Sequence, residues 1–325
     1  MHRKRIYILF SMLFILLLLT GCGGNDSASK VSASTNDKNS TNNEDSAKET
    51  STGPIRDNTP KVLVPAADGT TVYNADNCSI DASHAQEGYI MACYTGSAAS
   101  AKLQITGTSG TTYTYTLHGD YEAFPLTDSS GMYTFKALEN IQGDTYAILL
   151  SQDTDITISN EFGPYLYPNQ FVSFNADSEA VSLGADLAKD THSDLDVVTN
   201  IFNYVTENIT YDTDKAQTVE SGYVPDIDEI LKLKTGICFD YASVMTSMLR
   251  SQNIPTRMEF GYVGEIYHAW ISVRIDDVGW VDGIIQFDGT SWSLMDPTLV
   301  ASNGENNSVK EFIGDGSNYT TKYVY

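Results

Sequence analysis

The sequence predicts an α+β protein, with an N-terminal β-sandwich domain at residues 60–160 and a mixed helical and stranded domain at residues 161–325. Three observations support this. The first region consists of short segments rich in Tyr, Thr, Val and Ile, separated by Gly and Ser turns. The second region contains apolar residues at helical spacing, and alternating strand-like segments follow them. The chain is 41% hydrophobic over 325 residues, which is enough for one or two packed cores.

Residues 1–21 are typical of a lipoprotein signal peptide. A basic stretch at residues 2–5 precedes the apolar run Ile6–Leu19, which is shorter than the ~20 residues of a spanning helix. The run ends in Leu-Thr-Gly-Cys at residues 19–22, which resembles a bacterial lipobox. The resemblance implies cleavage before Cys22, lipidation of its sulfur and anchoring at the extracellular face of the bacterial cell membrane. An ordinary signal peptide or an uncleaved anchor is the alternative.

Residues 22–59 are predicted to form a lipidated, disordered stalk. Small, polar and charged residues dominate this segment and no aromatic residue occurs in it, so it cannot bury enough apolar surface to fold. The formal net charge of the whole chain is −23, which repels phosphate backbones and argues against a nucleic-acid partner. The charge could suit cationic or wall-associated partners, although solubility at a crowded cell surface is the simpler explanation.

The predicted β-sandwich contains two of the four cysteines. Its strand-like segments are "EGYIMACYTG", "AKLQITG", "TTYTYTLHG" and "GDTYAILLS". Export would permit a disulfide between Cys78 and Cys93, but their spacing does not determine whether they can meet. If they pair, Cys238 is an unpaired cysteine, and it is then either buried and inert or reactive.

Three helices are predicted in the second region. "SDLDVVTNIFNYVTENI" has apolar residues near helical spacing, and Ser193 can cap its start. "PDIDEILKLKTG" has an Asp226-x-x-Glu229 capping box and is expected to stop near Gly236. The third helix begins at Cys238 and ends before Ile254-Pro255, because the residue before a proline disfavours the α conformation.

Two strand-like segments follow the third helix. "YHAWISVRI" alternates, so His268, Trp270 and Ser272 are expected on the face opposite to the alanine and the aliphatic residues. "GIIQFDGTSWSLMDPT" reads as a hairpin with Asp288-Gly289 at its turn.

Cys238 has the surroundings of a nucleophile. The N-terminus of a helix stabilises an anion, so a thiolate at this position is favoured. A thiolate that transfers acyl groups needs a base, and His268 follows on a strand; a carboxylate that could orient this base, Asp296, comes after the hairpin. Each residue alone is weak evidence, because a lone cysteine is usually a small buried hydrophobe.

The flanking residues give a stronger indication. In order and spacing, four segments resemble the transglutaminase-like superfamily over roughly residues 165–300: Gly236-Ile237-Cys238-Phe239-Asp240-Tyr241-Ala242, then Leu249-Arg250 with Ile254-Pro255-Thr256-Arg257, then His268-Ala269-Trp270, then Asp296-Pro297-Thr298. The resemblance implies a papain-like/transglutaminase-like core, in which the cysteine helix packs on an antiparallel sheet that presents the histidine and the aspartate. It also implies that Cys238 is the nucleophile, His268 the base and Asp296 the orienting carboxylate.

The resemblance leaves the reaction open. It implies a cysteine peptidase or a protein-glutamine acyltransferase that acts on peptide or protein substrates in the cell envelope. The superfamily also contains members without catalysis, so the alternative is a silent binding or structural module for a cell-wall or protein ligand. The Cys238 backbone N–H is one candidate oxyanion donor, and Tyr211 is a second.

We expect no cofactor and no metal site. The sequence has no Walker motif, no dinucleotide-binding glycine loop and no paired Cys/His zinc spacing. Asp212 and Asp214, or Asp226 and Asp228, could bind calcium, but the rest of an EF-hand loop is missing, and solvated acidic turns are the better interpretation.

Overall fold

The computed structural model describes residues 53–276, 278–282, 285–287, 292–294 and 318–325, the two short segments 285–287 and 292–294 as backbone only. The lipobox, most of the stalk and Asp296 lie outside these residues. The described chain belongs to one compact unit, Lys48–Tyr325, and its fold is α+β as predicted. In this part of the chain, no helix has the length and apolar character needed to cross a bilayer.

The N-terminal region folds into two four-stranded antiparallel sheets. One has the strand order β1-β2-β3-β6 and the other β5-β4-β7-β8. The strands are β1 (Val72–Ala75), β2 (Cys78–Asp81), β3 (Tyr89–Tyr94), β4 (Ala101–Thr106), β5 (Thr112–Leu117), β6 (Glu122–Pro125), β7 (Gly131–Gln142) and β8 (Thr145–Ile156).

Alternation in the sequence determines which side chains of these sheets are buried. In β4, Leu103 and Ile105 are buried and the residues between them are partly exposed. They pair with Tyr115 and Tyr113 of β5, which are also buried. Because cross-strand partners lie on the same face of a sheet, these four side chains form one apolar surface towards the core.

The two N-terminal sheets, called the sandwich below, share one hydrophobic core with the rest of the chain. Tyr115 of β5 contacts Phe124 of β6 at a ring-centroid distance of 4.9 Å. The same ring lies 5.6 Å from Phe171 and 5.9 Å from Tyr325, which belong to the second region. The boundary predicted at residue 160 therefore lies inside one compact unit.

In the described part of the chain, five α-helices follow the sandwich: α1 (Glu179–Leu187), α2 (Asp194–Asn208), α3 (Thr213–Thr218), α4 (Ile227–Leu233) and α5 (Cys238–Ser251). Ser193 caps α2 as predicted, since its hydroxyl accepts the backbone N–H of Asp196, whose carboxylate accepts the N–H of Ser193. On α5 every residue from Asp240 to Ser251 is buried, so this is the central helix of the unit.

The expectation that α4 stops near Gly236 is wrong. The helix ends at Leu233, and Lys234 adopts the left-handed conformation at its C-terminus, with φ of 54°. Gly236 belongs instead to the short strand β10 (Thr235–Gly236), which pairs in parallel with β9 (Thr210–Tyr211). Sequence favours glycine at a helix end, but here the side chain of Asp240 requires it: a Cβ on Gly236 would lie 2.7 Å from the Asp240 Cβ.

A four-stranded antiparallel sheet packs against α5. Its order is β13-β12-β11-β16, formed by β11 (Thr256–Val263), β12 (Ile266–Ile275), β13 (Gly279–Val281) and β16 (Tyr319–Val324). Ala269, Ile271 and Val273 of β12 join the core that contains the buried residues of α5. His268 and Trp270 lie on the other face, as the alternation predicted.

The predicted hairpin is present as β14 (Ile285–Phe287) and β15 (Trp292–Leu294), which pair antiparallel. Its predicted turn, Asp288-Gly289, lies outside the described residues.

The disulfide considered for Cys78 and Cys93 is not formed, and both residues are free thiols. In the β2–β3 register, Cys78 lies opposite Tyr94 and Cys93 lies opposite Ser79. Neighbouring residues of a strand point to opposite faces, so the two thiols are on different faces of the sheet. Bridging them would require a shift in register.

Candidate active site

Cys238 is the first residue of α5 and is partly exposed. Its backbone N–H is one of the N–H groups that find no acceptor within the helix. The other two cysteines of the described chain are buried, and burial raises the pKa of Cys78 to about 11 and also raises the pKa of Cys93. Of these three thiols, Cys238 alone combines access to solvent with a helix N-terminus.

The backbone before Cys238 is held by β9. Gly236 pairs with Tyr211, and the Asp212 N–H donates to the Gly236 carbonyl at 2.9 Å. Tyr211 also packs against Tyr241 of α5, with ring centroids 6.4 Å apart. The candidate second oxyanion donor is therefore on the strand next to the segment that leads into Cys238.

A buried carboxylate lies two residues after the cysteine. Asp240 is completely buried and accepts three hydrogen bonds. The Lys215 ammonium (2.6 Å) and the Ile237 backbone N–H (2.8 Å) donate to Oδ2, and the Tyr223 hydroxyl (2.6 Å) donates to Oδ1. Burial, and then the bond to this carboxylate, raises the pKa of Tyr223, so its hydroxyl remains a donor at neutral pH. The cluster attaches α3 and the loop before α4 to the N-terminus of α5.

Aromatic rings surround the residue after Cys238. The ring of Phe239 lies 4.9 Å from Phe260 of β11, 5.7 Å from Phe171 and 6.0 Å from Tyr223, each in an edge-on arrangement. These contacts fix the N-terminal turn of α5 against the sheet and against the connection from the sandwich.

His268 is on β12, opposite Gly261 of β11, and is buried. Its imidazole stacks on Trp270 at 6.2 Å. The preceding residue, Tyr267, is half exposed; burial raises its pKa first, and the neighbouring Tyr323, Tyr262 and Cys238 raise it further. Cys238 and the start of β12 are thus close enough to interact electrostatically.

The third residue of the predicted triad, Asp296, lies outside the described residues. Phe239, next to Cys238, contacts Phe260, and Phe260 stacks on Tyr267, next to His268, at 6.2 Å. The segments that carry the first two predicted residues are therefore neighbours, and the position of the carboxylate stays a prediction.

Three of the four acidic residues considered for calcium accept backbone hydrogen bonds at helix starts. The Asp212 carboxylate accepts the Lys215 N–H at the start of α3, and Asp226 accepts the Glu229 N–H at the start of α4. Asp228 accepts the N–H of Glu179, the first residue of α1. Among the described residues, no group of three or more His, Cys, Asp or Glu side chains is arranged to hold a metal ion.

The sequence of residues 181–283 matches the family model of the transglutaminase-like superfamily. These residues form a transglutaminase-like domain. The matched range contains α2 to α5 and the strands β11 to β13, so it includes Cys238 and His268.

Two curated proteins are similar to part of this chain. The UPF0252 protein MJ1282 of Methanocaldococcus jannaschii is 32% identical over 96 residues, which are 26% of this chain and 27% of that protein. The uncharacterized protein YebA of Bacillus subtilis is 31% identical over 100 residues, 25% of this chain and 13% of that protein. The chain thus spans a minor part of the length of both relatives.

Solved structures with some likeness include a candidate cysteine protease from Cytophaga hutchinsonii, 13% identical, with a TM-score of 0.33 over 70% of this chain and 69% of that one. Another is red sea bream transglutaminase, 13% identical, with a TM-score of 0.25 over 65% of this chain and 48% of that one.

Sequence reasoning missed the cluster around Asp240. Asp240 is at the third position of a predicted helix, where a carboxylate commonly bonds back to the N-terminal backbone, and this signal could have identified it. Lys215 and Tyr223 are 25 and 17 residues away from Asp240, and no local pattern links them to it.

Proposed function

We propose that this protein is a thiol enzyme of transglutaminase-like type that acts on acyl groups of peptide or protein substrates. Cys238 is the nucleophile, His268 the general base and Asp296 the residue that orients it. The observation that carries the proposal is the position of Cys238, a partly exposed thiol at the first residue of the central helix of a transglutaminase-like domain.

The first half-reaction is acylation of Cys238. His268 takes the thiol proton, and the thiolate attacks the carbonyl carbon of a side-chain carboxamide or a peptide bond. The C–N bond breaks, the leaving amine or ammonia takes the proton from the imidazolium, and a thioester remains on Cys238. Water then releases an acid, or a second amine forms a new amide.

Two donors would stabilise the oxyanion of the tetrahedral intermediate. The Cys238 backbone N–H has no acceptor within the helix, which supports it as the first donor. The pairing of Tyr211 with Gly236, two residues before Cys238, supports the Tyr211 hydroxyl as the second.

We also propose that the enzyme works at the extracellular face of the bacterial cell membrane, anchored through a lipid on Cys22. The basic stretch, the short apolar run and the lipobox-like residues 19–22 support this location. The polar stalk would hold the folded unit away from the lipid surface.

The triad is tested by turnover of glutamine-containing peptides, with and without an added amine. Cys238→Ala and His268→Ala are each expected to remove nearly all activity, and the double variant to lose little more, because members of one catalytic unit are not additive. Asp296→Asn is expected to lose about 10- to 10⁴-fold, because the amide cannot stabilise the imidazolium. Cys93→Ala, which changes a buried thiol of the sandwich, is the matched control and is expected to keep turnover.

Thermal melting of each variant separates loss of chemistry from loss of fold. Near-parental turnover of His268→Ala would show that another residue is the base. Turnover that survives all three changes would exclude the thiol mechanism and favour a binding module.

The anchor is tested by metabolic labelling with a lipid analogue. Label on the wild-type protein and its loss in Cys22→Ser, together with release or lack of processing, are expected. A processed Cys22→Ser protein that stays in the membrane fraction would contradict the lipid anchor.

A further inference from the structure

We propose that the buried ion pair between Lys215 and Asp240 sets how readily the Cys238 thiol ionises. This inference rests on the proposed role of Cys238 as nucleophile. Lys215 and Asp240 are positioning residues in it, because neither is proposed to touch the substrate.

The Asp240 carboxylate belongs to the first turn of α5, which begins at Cys238. The carboxylate is completely buried, two residues after Cys238, and it reaches back to the N–H of Ile237, the residue before the cysteine. An anion at the helix N-terminus favours the helix but opposes a second anion beside it. Alone, the Asp240 carboxylate would disfavour the Cys238 thiolate.

Lys215 compensates the negative charge of Asp240. Its ammonium lies 2.6 Å from Asp240 Oδ2, and the Lys215 side chain is 28% exposed. The pair has no net charge, so the attraction of the helix N-terminus for a thiolate is not opposed. Water screens a pair this buried only weakly.

Tyr223 and Asp212 hold Lys215 in place. Lys215 Nζ donates to the Tyr223 hydroxyl at 2.7 Å and lies 4.4 Å from the centre of that ring. The backbone N–H of Lys215 donates to the Asp212 carboxylate at the start of α3. The backbone N–H of Asp212 in turn donates to the Gly236 carbonyl. The cation is thus fixed to the backbone that leads into the nucleophile.

Other titratable groups belong to the elements that contact the N-terminal end of α5. Tyr267 and His268 are on β12, Tyr211 and Asp212 are on or next to β9, and Tyr223 is in the loop before α4. None of these residues is substituted in the Lys215 and Asp240 variants. Tyr223 bonds to both members of the pair, so Tyr223→Phe tests its contribution separately.

Removal of the positive charge and removal of the negative charge are expected to change the labelling rate of Cys238 in opposite directions. Lys215→Met leaves the carboxylate uncompensated, with Ile237 and Tyr223 still donating to it, and should slow thiolate-dependent labelling of Cys238. Asp240→Asn leaves the ammonium uncompensated and should speed this labelling. A change of about three- to tenfold in thiolate-dependent labelling at fixed pH is expected in each direction.

The experiment is the pH–rate profile of iodoacetamide labelling of the full chain, read at the Cys238 peptide by mass spectrometry. The variants are Lys215→Met, Asp240→Asn, the double variant, and Tyr223→Phe, which changes no charge at neutral pH. Lys232→Met, an exposed lysine of α4, is the control for net charge. The double variant should fold without a buried unpaired charge and titrate near the parent value, even if a single variant does not fold.

The outcomes separate this inference from the proposed function. Opposite shifts of the single variants, or a double variant that titrates near the parent when a single variant does not fold, support the role of the pair. The inference is overturned if both single variants shift the labelling profile of Cys238 in the same direction or if neither shifts it. It is also overturned if the labelling profile of the double variant lies far from that of the parent. A parent Cys238 that labels no faster than a model thiol would instead contradict the nucleophile itself.

Discussion

At the scale of single residues, Gly236 leaves the space in which the Asp240 carboxylate lies. The site of a Cβ on Gly236 is 2.7 Å from the Asp240 Cβ and 3.0 Å from Oδ2. Asp240 cannot move away easily, because it is buried and bonded to Lys215 and Tyr223. A side chain at position 236 would therefore displace the carboxylate or the turn before Cys238.

Gly236→Ala is expected to lower the free energy of unfolding by about 1–3 kcal/mol, the usual cost of overpacking a core. Urea unfolding of the variant measures this cost. Gly119→Ala is the control, because a Cβ at Gly119 has no atom within 4 Å in the described structure. Equal stability of the two variants would show that the Asp240 cluster adapts to the extra methyl group.

The residue scale also shows what could be predicted from sequence. Cys238 was predicted at a helix start, because glycine, cysteine and the following apolar spacing are local signals. The ion pair between Lys215 and Asp240 forms between segments 25 residues apart, and no local signal encodes it. The free thiols of Cys78 and Cys93 follow from the register of β2 and β3, which the spacing of the cysteines did not reveal.

At the scale of elements, α2 shows how one cap supports a helix. The Ser193 hydroxyl accepts from Asp196 N–H at 3.1 Å, and Asp196 in return accepts the N–H groups of Ser193 and His192. Three donors at the start of the helix are thereby satisfied.

Ser193→Ala is expected to destabilise the protein by about 1 kcal/mol, the typical cost of losing an N-cap side chain. Thermal and urea unfolding measure the loss. Ser221→Ala, an exposed serine in the turn before α4, is the matched control. A loss no larger than that of the control would show that the Asp196 half of the capping box is sufficient.

Elements with strong local periodicity were predicted best. The apolar spacing of α2 and the alternation of β12 are seen in the structure, because one face of each packs on the core. The end of α4 was predicted wrongly, because Lys234 takes the left-handed position that glycine usually fills. Helix α1 was not predicted; it packs on α4 and α5, so its place depends on tertiary contacts.

At the scale of the whole molecule, Arg250 of α5 joins three distant segments. Its guanidinium has no exposed surface. It donates to the carbonyl of Tyr167 after the sandwich at 2.7 Å, to that of Thr256 at the start of β11 at 2.8 and 3.1 Å, and to that of Tyr325 after β16 at 2.9 Å. Burial lowers its pKa to about 9, so the group is still charged at neutral pH.

Arg250→Met is expected to destabilise the protein by about 3–5 kcal/mol, because the carbonyls of Tyr167 and Thr256 lose their side-chain donor and that of Tyr325 keeps only the N–H of Met258. Arg274→Met is the control, since Arg274 is partly exposed and donates to one carbonyl. Its expected cost is about 1 kcal/mol.

The same variant tests whether the molecule unfolds as one unit. All three tryptophans follow residue 269 in the chain, so their emission reports on the C-terminal half, whereas far-UV circular dichroism reports on both regions. Because the sandwich and the region that follows it share the core around Tyr115, Phe171 and Tyr325, coincident transitions are expected in the parent and in Arg250→Met. A variant in which tryptophan emission changes at low urea while the β signal persists would show that the sandwich folds independently. The boundary at residue 160 would then separate two units that fold on their own.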